Sequence, residues 1–95
     1  MKLEAVKQPS NVRVLILSES KTSIKEFYFI QSYSNLIKID LSYNKLSSFP
    51  AGFTFTSFPH LRTLFLHYNK FSSLKNLVPV TEVIFLSVSV TVCII

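Results

Sequence analysis

The side chains that could do chemistry are few and scattered. His60 and His67 lie seven residues apart. A metal centre would need further His, Cys, Asp or Glu ligands at ligand spacing around them, and none stands there. His60 precedes a predicted strand. His67 falls on that strand's outer side beside Tyr68, where a surface contact suits it better than ligation. Cys93 is the single cysteine, which excludes an internal disulfide and any CxxC site. Its β-branched surroundings suit a small core hydrophobe rather than a nucleophile. The five acids, Glu4, Glu19, Glu26, Asp40 and Glu82, are too dispersed to pair as general acid and base. No GxSxG elbow activates any of the serines. The one glycine, Gly52, excludes every Gly-rich phosphate loop. The chain is expected to be no enzyme, with no metal and no cofactor.

With chemistry set aside, the composition bears on architecture and partners. A chain of 95 residues allows one small domain. Its hydrophobic fraction of 48% against 16% charged residues excludes intrinsic disorder. The formal net charge is +5, but the lysines are spread along the chain. Scattered lysines read as solvated surface and argue against a nucleic-acid arm. Residues 1–11 are polar, include Glu4, and lack the apolar core of a secretory signal. No Asn-x-Ser/Thr sequon occurs. With the lone cysteine, this points to a reducing, cytoplasmic setting.

An internal repeat supplies the organisation. Leu36-Ile37-Lys38-Ile39-Asp40-Leu41-Ser42-Tyr43-Asn44-Lys45-Leu46 aligns without gaps on Leu61-Arg62-Thr63-Leu64-Phe65-Leu66-His67-Tyr68-Asn69-Lys70-Phe71, so that Leu36 meets Leu61 and Asn44 meets Asn69. Alternation over Ile39–Ser42 predicts a short strand. Each unit holds too few apolar residues to close its own core, so units must stack, with one parallel strand from each. Asn44 and Asn69 follow the strands, where the chain turns and leaves backbone groups without ladder partners. An asparagine amide can donate and accept there; a solvent-facing turn residue is the other reading.

The shared pattern, L-x-x-L-x-L-x-x-N-x-L, resembles the leucine-rich repeat family. A degenerate unit lies upstream, with Val12, Leu15 and Leu17 in place but Ser20 for the asparagine. Another begins near Val83, with Leu86 and Val88 in place, Thr91 for the asparagine and Cys93 at a buried apolar position. The resemblance implies an α/β solenoid over residues 12–95, with units starting near 12, 36, 61 and 83. Its parallel β-sheet would form the concave face and irregular or short helical segments the convex one. It further implies a structural ladder of Asn44 and Asn69, and a non-catalytic scaffold for protein partners. The unit most resembles short intracellular repeats of about 22 residues, some of which serve in cilia and cytoskeleton.

The return segments are expected to differ. Residues 23–35 predict a short helix burying Ile24, Phe27 and Ile30. Pro50, Gly52 and Pro59 limit the next return to a short turn of α- or 3₁₀-helix, with Phe49, Phe53, Phe55 and Phe58 plugging the convex side rather than forming an exposed aromatic patch. Leu74, Leu77, Val80 and Val83 have helical spacing until Pro79 interferes. Alternation of Leu86 and Val88 with Ser87 and Ser89 predicts a last strand. That strand would leave apolar residues uncovered, as in a truncated repeat array. The other reading makes residues 77–95 a membrane-associated segment, although the uncharged run from Val83 to Ile95 is shorter than a bilayer-spanning helix.

Outward strand positions are expected to stack in columns: Arg13, Ile37, Arg62 and Ile84; Val14, Lys38, Thr63 and Phe85; Ile16, Asp40, Phe65 and Ser87; Glu19, Tyr43, Tyr68 and Val90. Lys38, Asp40, Tyr43, Arg62, Phe65, His67 and Tyr68 would then share one face. That mixture of aromatics, Arg and charge suits a protein interface, against the plainer reading of an ordinary solvated sheet.

Overall fold

The computed structural model describes residues 6–18, 24–71, 74–86 and 91–93. Four strands, β1 (Val14–Ile16), β2 (Lys38–Asp40), β3 (Thr63–Phe65) and β4 (Thr91–Cys93), form one parallel sheet in chain order. Each has three residues, too short for either face to be held by its ladder alone. The apolar pattern fixes the register. Leu15, Ile39 and Leu64 are direct partners, each at most 1% exposed. Their neighbours along each strand turn outward. Leu17, Leu41 and Leu66 add a second buried column. Backbone pairing runs on past the strands, from Leu41 N–H to Phe65 C=O at 2.8 Å and from Tyr43 N–H to His67 C=O at 3.1 Å.

The other side of the core is closed by returns of three kinds. Helix α1 (Ile24–Ile30) buries Phe27 and Ile30, and Tyr33 is buried just beyond it; the side chain of Ile24 lies outside the described set. The second return has only a 3₁₀ turn at Phe55–Ser57, whose Thr54 cap accepts a hydrogen bond from Thr56 N–H. Phe53, Phe55 and Phe58 are buried, with Phe49 half-buried beside them. Their rings meet edge-on, tilted and, for Phe49–Phe53, stacked, with Phe53–Phe55 centroids at 5.0 Å and Phe49–Phe55 at 5.3 Å. Such contacts add about 0.5–1.5 kcal/mol each beyond burial.

The third return departs from expectation. A 3₁₀ turn at Leu74–Leu77 leads into helix α2 (Val78–Leu86). Pro79 does not interrupt it. Proline stands in the first turn, where its missing N–H would have had no partner and its fixed φ suits a helix. Helix α2 packs against Phe55–Ser57 with Val80 fully buried. This packing overrides the strand preference of a β-branched stretch, so Val83–Leu86 is helical, not part of a strand.

The fourth unit therefore does not begin near 83. Thr91, Val92 and Cys93 pair with Thr63, Leu64 and Phe65. Ile84 and Phe85 leave the expected columns for the helix, and Ser87 and Val90 lie outside the described residues. Glu19, expected to head the tyrosine column, lies outside them too. Thr91 takes the place beside Thr63. Cys93, expected at a buried apolar position, pairs in register with Phe65; its side chain lies outside the described set. Within residues 77–95, the described part holds the nine-residue helix Val78–Leu86 and the strand Thr91–Cys93. Among the described residues, no helix is long and apolar enough to cross a membrane.

Two measurements check this core. Leu64→Ala is expected to lower the unfolding free energy by roughly 2–4 kcal/mol in urea titration, because it empties the centre of the inward column. Burial pushes the Tyr33 phenol above its ordinary 10.0. A raised phenol leaves stability intact below the unfolded value and erodes it as pH climbs beyond, where the unfolded chain ionises first. Unfolding midpoints taken at about pH 8 and about pH 11 should therefore fall more steeply for the wild type than for Tyr33→Phe.

Candidate functional site

The turns that follow β2 and β3 build the candidate face. Asn44 Nδ2 donates to Leu17, Leu41 and Ser42 carbonyls at 2.9, 2.9 and 3.0 Å. Asn69 Nδ2 reaches Leu41 and Leu66 at 2.9 and 2.8 Å, with a longer contact to His67 at 3.4 Å. Asn69 Oδ1 accepts from Asn44 and Leu46 N–H at 3.0 and 2.9 Å. Each amide thus joins its own turn to the preceding unit, and Asn44 is itself buried.

The same turns force Tyr43 and Tyr68 into left-handed backbone conformation, at φ of 59° and 56°. Bulky residues seldom adopt it. Here each asparagine is drawn inward while the preceding tyrosine is thrown outward. The two rings stack at 4.5 Å with 15° between planes. His67 lies edge-on to Tyr43, Phe65 and Tyr68 at 5.5–5.8 Å. Its Nδ1 is buried without a hydrogen-bond partner among the described residues. Lys38 Nζ sits 4.9 Å from the Phe65 ring centre, a cation–π contact.

Of the seven face residues expected from sequence, Lys38, Tyr43, Phe65, His67 and Tyr68 therefore converge. Asp40 is on the face but its Oδ1 accepts from Ser42 N–H and Oγ at 3.0 and 2.6 Å, which closes the turn after β2. Arg62 stands at the other end of the strands. There, with Arg13, Asn35, Ile37, Pro59 and His60, it lines an open cleft of about 830 Å³. Sequence reasoning placed Arg13 in a column but did not assign it to the site, and it left His60 in a turn. It also passed over Val14 and Ile16, which are 51% and 57% exposed. Both stand in the outward columns of Lys38 and Asp40 that the spacing gives, but the site was drawn from the two central units alone. Among the described residues, no three of His, Cys, Asp and Glu come together as metal ligands.

These features define a protein built of stacked units, one parallel strand and one asparagine turn apiece at its centre, presenting an aromatic sheet face. Residues 34–79, which hold its two central units, match the family model described as Leucine Rich repeats (2 copies). Domains of this repeat generally mediate protein–protein interaction and are typically non-enzymatic scaffolds. No curated protein and no solved structure matches the chain.

Asn69→Ala removes an amide that serves both turns. It is expected to cost on the order of 1–3 kcal/mol in denaturant unfolding. Asn69→Asp, which keeps the acceptor but loses the donor, should recover only part of that loss.

Proposed function

We propose that the chain is a short solenoid scaffold, without catalytic activity, that holds a protein partner on its concave sheet face. One observation carries the reading. Tyr43 and Tyr68 are 47% and 64% exposed yet locked in one stack, continuous with Phe65 and His67. Large side chains held rigid before binding lose little entropy on contact, and aromatics carry a large share of interface energy. The exposed Val14 and Ile16 extend the apolar area along the face. The lone cysteine suits the cytoplasm, which we propose as the setting. The membrane reading of residues 77–95 gains no support from a segment divided between α2 and β4.

Phe65→Ala and Tyr68→Ala separate an interface from an ordinary solvated sheet. Circular dichroism and melting temperature should stay close to wild type, since neither ring belongs to the buried core. A partner captured by the wild-type chain should be lost, or weakened roughly tenfold for each residue. Unfolding by Phe65→Ala would put that ring in the core and overturn the face; unchanged capture by both variants would overturn the interface.

A further inference from the structure

At the end of the sheet face away from the aromatic cluster, the chain entering the strands gathers cations. Ile37 N–H donates to Arg13 C=O at 2.6 Å, and Arg62 N–H to Ile37 C=O at 2.8 Å. Arg13 and Arg62 are therefore two strand spacings apart, about 9–10 Å between backbones. Both are exposed, as is His60 beside them, and among the described residues no carboxylate lines the cleft they share. Of the acids whose side chains are described, Asp40 is committed to Ser42, and Glu82 to Thr54 on the return side. One wall of the cleft is tied down by Asn35, whose Nδ2 donates to Ser10 C=O at 2.8 Å.

We infer that this cleft receives the carboxylates of an acidic peptide segment of the partner, an inference that rests on the reading of the sheet as a protein-binding face. Guanidinium groups take carboxylates in paired, planar hydrogen bonds. Long side chains rooted about 9–10 Å apart can close on neighbouring acids of one extended segment. The surroundings select peptide over nucleic acid. Val14 and Ile16 are exposed in the same strand that Arg13 leads into. A phosphate backbone would leave them without partners, whereas a peptide offers apolar side chains between its acids.

The test uses fluorescence anisotropy with the full chain. The probes are a short labelled peptide of alternating Glu and Ser, its Gln/Ser and Lys/Ser counterparts, and a duplex DNA of random sequence. The Glu peptide should bind about tenfold or more tightly than the Gln peptide, and weaken severalfold between about 50 and about 300 mM NaCl. Arg13→Glu with Arg62→Glu should abolish Glu-peptide binding and confer binding of the Lys peptide. Arg13→Gln with Arg62→Gln, a milder change, should lose about tenfold and serves if the reversed pair misfolds by circular dichroism. Lys70→Glu, exposed but outside the cleft, should stay within about twofold of wild type.

Equal Glu-peptide binding by wild type and the double Gln variant would overturn the cleft. So would tighter binding of the duplex through the same arginines. Capture of the cellular partner tells this failure from failure of the interface. Capture lost in Tyr68→Ala but kept in the arginine variants sinks the cleft alone; capture kept in both sinks the two together.

Discussion

Everything in this fold depends on satisfying the backbone where the chain leaves each strand. A strand of three residues gives way at once to an inward turn whose carbonyls lie beyond the ladder, and a buried carbonyl without a partner costs about 1–3 kcal/mol. Asn44 and Asn69 meet that demand by donating to their own turn and to the unit before. The leucine columns supply the larger free energy through burial, but apolar burial is non-directional. The amide bonds are directional. They set one unit on the next at a fixed register, and the columns are continuous because of it.

The outward face follows from the same bonds. To bring an asparagine inside, the preceding residue must adopt left-handed geometry, and in both units that residue is a tyrosine. Register then places Tyr43 over Tyr68 in a stack. His67 is enclosed on three sides by the rings of Tyr43, Phe65 and Tyr68. A constraint on the interior thus fixes the geometry of an exterior surface. The aromatic face is rigid for the reason that the core is continuous.

How far the sequence shows this varies along the chain. The two central units were legible because apolar spacing, asparagine and tyrosine all recur at one offset. The first strand was legible without its asparagine, since Leu15 and Leu17 alone keep the inward phase. The last was misplaced. Val83, Leu86 and Val88 mimic the template, and only packing of α2 on Phe55–Ser57 decides against them. Pro79 misled in the same place, because a proline reads as a breaker unless the helix start is known. Asp40 looked like a free charge on the face, and its bonds to Ser42 depend on a turn that the spacing does not reveal. The cleft was legible only in part: Arg13, Ile37 and Arg62 share a column expected from sequence, but Asn35 and His60 stand in the turns before the strands, and the folded turns bring them to the same opening.

The returns bear on the proposal that the sheet, rather than the opposite side, meets a partner. The stretch of chain from Leu64 to Val92 is longer than the stretch from Leu15 to Ile39 or from Ile39 to Leu64. Yet the four strands lie side by side in one ladder. The extra length is absorbed on the return side, where α2 advances only about 1.5 Å per residue along its axis and an extended segment would advance about 3.3 Å. In this longest return, winding chain into α2 takes up length while the strand spacing is unchanged. Variation in length reshapes the helical side unit by unit, while side chains on the sheet keep constant neighbours. Among the described residues, the sheet side keeps its columns aligned from one unit to the next, as a partner laid across them would require.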